Sequence, residues 1–428
     1  MKPAAAKPKF TPKLRFPEFR KVEGWGDTIL GELSDVVRGG SPRPIDGFLT
    51  TASDGLNWLK IGDVDKEAKY VTGTTEKVRR EALSKTRVVK IGDLILSNSM
   101  SFGRPYILQI QTCIHDGWIA ITNISSQTDR DFLYYLISAP SSQSYFVDNA
   151  AGSGVQNLNA DIIKAMPVCF PSLAEQHKIA SCLSSLDELT GAESRKLAAL
   201  KAHKKGLMQQ LFPREGETVP SLRFPEFQDA GEWEETILGE LSDVVRGGSP
   251  RPIDGFLTTA SDGLNWLKIG DVDKEAKYVT GTKEKVRREA LSKTRVVKPG
   301  DLILSNSMSF GRPYILQIQT CIHDGWIAIT DISNQIDRDF LYYLISASSS
   351  QSYFVDNAAG SGVQNLNADI IKALPVCFPS LPEQQKIVSC LSALDDLIGT
   401  QSDKVAAIKT HKKGLMQQLF PSPAEAEA

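Results

Sequence analysis

Apolar residues recur through residues 175–212 in alternating steps of four and three. The seam runs Ile179, Leu183, Leu186, Thr190, Glu193, Leu197, Leu200, Lys204, Leu207, Leu211. That is the a/d pattern of a heptad, sustained over several repeats. The stretch holds no proline, and glycine only at 191 and 206. It predicts one long helix. Nearly forty residues rising 1.5 Å each give a rod of roughly 55–60 Å, too exposed to bury its seam alone. Upstream the pattern shortens. Val88-Val89 and Leu94-Ile95-Leu96 flank Gly92-Asp93, which reads as strand, tight turn, strand. Residues 106–110 and 118–124 are rich in aromatic and β-branched types and predict further strands, and 131–138 predicts a short helix.

The whole pattern occurs twice. Residues 14–213 recur as 222–421 at a constant offset of 208, without insertion or deletion. Between 30 and 170 the copies differ only at Thr75/Lys283, Ile91/Pro299, Asn123/Asp331, Ser126/Asn334, Thr128/Ile336, Pro140/Ser348 and Met166/Leu374. Pro299-Gly300 in the second copy suits the middle of a type II turn. The unit is far longer than a solenoid repeat, so each copy is a whole domain plus a connector. Two equal domains imply two equal sites, and hence a ligand with two equal halves.

The second seam runs Ile387, Leu391, Leu394, Ile398, Gln401, Val405, Ile408, Lys412, Leu415, Leu419. The simplest partner for each long helix is the other. Polar seam positions fall at Glu193/Gln401 and Lys204/Lys412. In an antiparallel pair each lysine lies nearer the partner's start, and such residues fix register at some cost in stability. The expected fold is therefore α+β: two β-rich globular domains, each followed by a long helix, the helices pairing as an antiparallel coiled coil with a pseudo-two-fold repeat. The helices would act as a ruler between two inverted readers.

Composition changes this picture little. Of 428 residues, 41% are hydrophobic and 23% charged, as in a globular protein. No apolar run approaches the roughly 20 residues of a membrane span. Residues 1–13 read as a disordered arm without a signal-peptide core. The six cysteines form no C-x-x-C pair, so buried thiols in a cytoplasmic protein are expected. The net charge of −2 requires any nucleic-acid reading to rest on locally arranged charge or on partners.

Catalytic motifs are scarce. There is no P-loop, and Gly152-Ser153-Gly154-Val155-Gln156-Asn157 breaks the dinucleotide fingerprint. The Asn-Pro-Pro-aromatic motif of amino-methyltransferases is absent. Asp63, Asp65, Glu67 and Lys69 could imitate a metal-dependent nuclease site, although such a charge run more often marks a solvated hairpin. His115 beside Cys113 reads as a strand-edge residue. What stands out is three loops. One carries Arg38 and Arg43 around Gly39-Gly40. One carries Asn98, Ser99, Arg104 and Tyr106. One carries Gln156 and Asn157. They recur with Arg246, Arg251, Asn306, Ser307, Arg312, Tyr314, Gln364 and Asn365. Arginine suits guanine edges, and asparagine and glutamine suit adenine edges. Lys77, Arg79, Arg80, Lys85 and Arg87 add a basic patch.

Leu14-Arg15-Phe16-Pro17-Glu18-Phe19, Trp25 and Leu30-Gly31-Glu32-Leu33 stand with Pro171-Ser172-Leu173-Ala174-Glu175-Gln176 and Lys204-Lys205-Gly206-Leu207-Met208-Gln209-Gln210-Leu211-Phe212-Pro213. Together they resemble the specificity subunit of type I restriction–modification enzymes. The resemblance implies a non-catalytic DNA sequence-recognition subunit with a bipartite target, palindromic here because the domains are alike. Coiled-coil scaffolding without a DNA role is the other alternative beside the nuclease. The family resemblance implies target recognition domains at 14–172 and 222–380, conserved helices at 173–213 and 381–421, a linker at 214–221 and a disordered tail at 422–428. It also implies double-stranded DNA, two methylation subunits and restriction subunits as partners. S-adenosylmethionine, ATP and magnesium would then belong to those partners.

Overall fold

A computed structural model of the chain describes residues 10–98, 103–150, 158–306, 311–358 and 366–421. In the first repeat the strands are β1 (Gly26–Ile29), β2 (Asp35–Arg38), β3 (Leu49–Thr50), β4 (Leu56–Leu59), β5 (Tyr70–Val71), β6 (Glu76–Val78), β7 (Arg87–Val89), β8 (Leu94–Ser97), β9 (Pro105–Leu108), β10 (Thr112–Ile114), β11 (Trp118–Thr122) and β12 (Pro167–Phe170). Helices α1 (Leu30–Leu33), α2 (Arg130–Ser138), α3 (Pro140–Asn149) and α4 (Ala160–Lys164) accompany them. One five-stranded sheet has the order β2-β11-β8-β9-β5, a second has β3-β6-β4-β10-β7, and β1 pairs with β12. The second repeat gives the same three sheets.

The strands around Gly92 do not pair with each other. β7 joins the second sheet through β10, whereas β8 joins the first through β11 and β9. The turn is as expected, with the Asp93 N–H on the Lys90 carbonyl at 3.1 Å and Gly92 at φ 92°. It hands the chain from one sheet to the other. The apolar runs show why. In β11, Trp118 and Ala120 join the core between the sheets, while Ile119 and Ile121 face the core shared with α2 and the long helices. A strand buried on both faces reads as a continuous apolar run, not as an alternation.

The long helices span Leu173–Leu211 and Leu381–Leu419. Every seam position in both is buried or half-buried. The chain forms two compact units that exchange helix ends: residues 1–194 with 403–428, and 195–402. In the first unit Asp187 pairs with Lys412, and Glu193 with Lys404 at 2.6 Å. In the second, Lys204 pairs with Asp395. Partner numbers fall on one helix as they rise on the other, so the helices pack antiparallel. Each unit's core is closed by the other repeat's helix: Met416, Leu419 and Phe420 pack with Trp25 and Phe132, and Leu211 and Phe212 with Trp233 and Phe340.

The sequence motifs at the junction are structural. Arg15 grips buried Glu175 through two bonds of 2.8 and 2.7 Å and donates to the Val22 and Glu23 carbonyls. Gln176 is fully buried; its amide donates to the Gln127 and Pro171 carbonyls and its oxygen accepts the Asp129 N–H. Phe10 pairs with Trp25, so residues 10–13 are part of this packing. The tail at 422–428 lies outside the described residues.

Candidate nucleic-acid interface

One turn gathers the loops. Strand β11 places Ile119 opposite Arg38 and Trp118 opposite Ser97, so the ends of β2, β8 and β11 lie together. The turn His115-Asp116-Gly117 precedes β11 at that edge. The Arg38 Nε donates to the Asp116 carbonyl at 2.9 Å. The Ser41 hydroxyl donates to Asp116 Oδ1 at 2.7 Å and accepts the Asp116 N–H at 3.2 Å. The Arg43 guanidinium meets Asp116 Oδ2 at 3.1 Å. Asn98 donates through Nδ2 to the Asp116 carbonyl at 3.0 Å and through its N–H to the Gly117 carbonyl at 3.0 Å. The Leu158 N–H reaches the Asn98 carbonyl at 3.3 Å, which brings in the third loop's base.

Gly39 and Gly40 are required by close approach. A Cβ on Gly39 would stand 2.1 Å from the His115 carbonyl oxygen, and one on Gly40 2.7 Å from that of Lys85. Lys85, from the basic patch, therefore borders the same edge. The Ser41 hydrogen bond, and then Arg43, hold the Asp116 carboxyl below the ordinary range against the opposing effect of burial. Burial pulls the His115 imidazole pKa down, and its Nδ1 accepts the Gly117 N–H at 2.7 Å.

The sequence-proposed residues divide. Arg38 and Arg43 are exposed, as are Arg246 and Arg251. Arg104 is half-buried, 3.6 Å from Glu67; Arg312 stands 3.7 Å from Glu275. Asn98 and Asn306 are buried anchors of the edge, not groups on its surface. Tyr106 and Tyr314 are core residues, edge-on to Trp118 and Trp326 at 5.8 Å, where no base can reach them. Ser99, Gln156, Asn157, Ser307, Gln364 and Asn365 lie outside the described residues. Sequence reading missed Asp116 and Asp324. The available signal was a lone acid at a turn between two apolar strands, two residues before a tryptophan.

The acidic run does not assemble a nuclease. Lys69 is sequestered, pairing with Asp131 at 2.8 Å and donating to Tyr135 and Ser184, each at 3.1 Å. Asp63 accepts the Lys60 N–H at 2.9 Å, and Asp65 the Glu67 N–H at 2.6 Å. Among the described residues no group of three or more His, Cys, Asp or Glu could hold a metal ion. Nor is any helix there long and apolar enough to cross a membrane.

The family model described as type I restriction modification DNA specificity domain matches residues 23–202 and again 230–410. The chain belongs to that family. Over 416 residues it is 25% identical to the type I restriction enzyme MjaVIII specificity subunit of Methanocaldococcus jannaschii, covering 94% of this chain and 93% of that one. A putative MjaX specificity subunit from the same organism is 24% identical over 416 residues, with 93% of each covered. The fold is similar to the type I restriction–modification S subunit from M. genitalium, at TM-score 0.54 and 16% identity, covering 96% of this chain and 99% of that one. It is also similar to a chain from a study of type I assembly and conformational transition, at TM-score 0.60 and 16% identity, covering 93% and 98%. Specificity subunits recognise DNA and are not themselves catalytic, so the chain is a recognition subunit; neither the nuclease nor the bare scaffold is supported.

Proposed function

We propose that this specificity subunit reads an interrupted palindrome in double-stranded DNA with the two Asp116/Asp324 edges. One observation carries the reading: the edges are equal. Arg246 meets the Asp324 carbonyl at 3.0 Å, Ser249 its Oδ1 at 2.7 Å and Arg251 its Oδ2 at 3.1 Å, all within 0.1 Å of the first copy. Like readers need like half-sites, and inverted halves suit the two-fold symmetry of B-DNA. Two methylation subunits and restriction subunits dock on the chain in the cytoplasm. S-adenosylmethionine, ATP and magnesium are theirs.

The exposed arginines supply phosphate contacts or guanine-edge contacts, and Arg104 and Arg312 add further ones. Ser99, Gln156, Asn157, Ser307, Gln364 and Asn365 are further candidates for contacts to adenine edges and phosphates. Mapping methylated adenines in host DNA tests the reading. The expected motif has two identical inverted halves around a fixed spacer. A motif with two unrelated halves refutes it.

A further inference from the structure

The carboxylate at the centre of the edge has a role that a DNA-reading surface does not obviously call for. An acid repels phosphate, yet Asp116 sits between two exposed arginines and a serine. Its backbone carbonyl already takes Arg38 and the buried Asn98, so the side chain is not needed to hold the turn. What it holds is Ser41, through Oδ1 at 2.7 Å, and Arg43, whose side chain is otherwise 81% exposed. Such a solvent-exposed pair is weak and opens readily.

We propose that Asp116 and Asp324 are positioning residues that stand in for a phosphate, holding Arg43 and Arg251 until a matched duplex displaces the carboxylate. This rests on the DNA reading above and adds how non-specific occupancy is held down. Arg43 carries its charge at a fixed place on the edge. A loosely bound, mismatched duplex has to compete with a carboxylate for it. A matched duplex, seated by the other contacts, delivers its acceptor at the right position and wins. The cost of opening the pair falls on every duplex, but a matched duplex has other contacts that offset it, so non-specific occupancy falls first.

The test is titration of the full chain with random-sequence duplex DNA at 50–200 mM salt. The double variant Asp116→Asn, Asp324→Asn keeps the Ser41 and Ser249 bonds by shape and frees two arginines. Each released phosphate contact steepens log K against log salt by about 0.9, so the slope should steepen by about 2. The variant's gain over wild type should then shrink about tenfold between 50 and 200 mM salt. Three comparisons guard the result. Asp116→Glu, Asp324→Glu should stay near wild type. Asp46→Asn, Asp254→Asn removes the same charge from exposed positions three residues along the chain from Arg43 and Arg251 and should give less than half the slope change. Adding Arg43→Ala, Arg251→Ala to the asparagine variant should abolish the gain. An unchanged slope, an equal gain in the Asp46 control, or a gain that survives loss of the arginines overturns the proposal. Failure of the wild-type chain to bind duplex at any salt would overturn the DNA reading itself, which is a different outcome. A melting scan of each variant identifies loss of folding; should the asparagine pair unfold, Asp116→Ser, Asp324→Ser carries the same expectations.

Discussion

Replacing Glu175 by Gln should cost the first unit about 3 kcal/mol. The side chain of Glu175 is 1% exposed and that of Arg15 7%, so neither ion has water to fall back on. Both carboxylate oxygens are engaged by Arg15, at 2.8 and 2.7 Å. Removing one partner of a buried pair typically costs 3–5 kcal/mol, because the other charge is stranded. Arg15 keeps the Val22 and Glu23 carbonyls at 2.9 and 3.0 Å, which favours the lower end of that range. The Trp25 indole N–H donates to Glu175 at 3.4 Å, so tryptophan fluorescence reports the change locally. Urea titration of the full chain measures the effect. At a slope of about 2–3 kcal/mol per M, the midpoint of the first unit falls by about 1 M. The double variant Arg15→Met, Glu175→Leu removes both desolvation penalties and should lie within about 1 kcal/mol of wild type. A single-variant cost below about 1 kcal/mol, or a double variant as unstable as the single, would refute the assignment of this pair as the clamp.

Three further outcomes follow. Gly39→Ala places a Cβ 2.1 Å from the His115 carbonyl and should cost about 1–3 kcal/mol by thermal melting, whereas Gly26→Ala, with nothing within 4 Å, should stay within about 0.5 kcal/mol. Burial lowers the folded-state pKa of His115 and His323, so their neutral forms favour folding above about pH 6.5, and that stability is lost as pH falls below it; the His115→Gln, His323→Gln variant should show a flatter stability profile between about pH 7.5 and 5.5, and an unchanged profile counts against the buried imidazole. Lys412→Met strands Asp187, which also accepts the Tyr135 hydroxyl at 2.6 Å, and should cost about 1.5–3 kcal/mol in urea, where a solvated lysine would cost nearly nothing.

The long helices were legible because their period is local and their seam is uninterrupted. Strands β7, β8, β9 and β11 were legible too, since their apolar runs are strong, whereas β1 to β6, β10 and β12 were not read as strands. Which sheet each strand joins was not legible, because strand order depends on contacts between residues far apart in the chain. The proposed reading edge was half legible. Arginines on glycine-rich turns announce themselves by type, and Arg38 and Arg43 are indeed on the surface. Tyr106 and Asn98 have equally suitable chemistry but face inward, and type alone cannot give direction. Asp116 was passed over for the opposite reason: nothing about a single aspartate shows that Ser41, Arg43 and Arg38 will converge on it from 73 to 78 residues away.

The uneven divergence of the two copies has a physical explanation in the exchanged helix ends. Residues 203–211 and 411–419 are identical, as are Ile179/Ile387, Leu183/Leu391, Ser184/Ser392 and Asp187/Asp395. These are the positions that enter the domains. Leu211 and Leu419 close the two cores, and Asp187 and Asp395 receive Tyr135 and Tyr343 at 2.6 Å. The substitutions Glu188/Asp396, Thr190/Ile398, Ala192/Thr400, Glu193/Gln401, Arg195/Asp403, Leu197/Val405, Leu200/Ile408 and Ala202/Thr410 fall between those two stretches. A helix packing only on a helix tolerates Leu for Val or Thr for Ile at modest cost, since volume can be recovered across a seam. A helix end inserted into a domain has less freedom: Ala174/Pro382, His177/Gln385, Ser185/Ala393 and Ala180/Val388 differ there, and of these only Ala180 and Val388 join a core. Such an end meets a tryptophan, a phenylalanine and a buried tyrosine–carboxylate bond that are the same in both copies. Two like domains therefore favour like helix ends, and the middle of the seam differs most. That pattern accounts for the differences without requiring the helices to be specialised as unlike partners, and it ties the sameness of the helix ends to the sameness of the domains that read DNA.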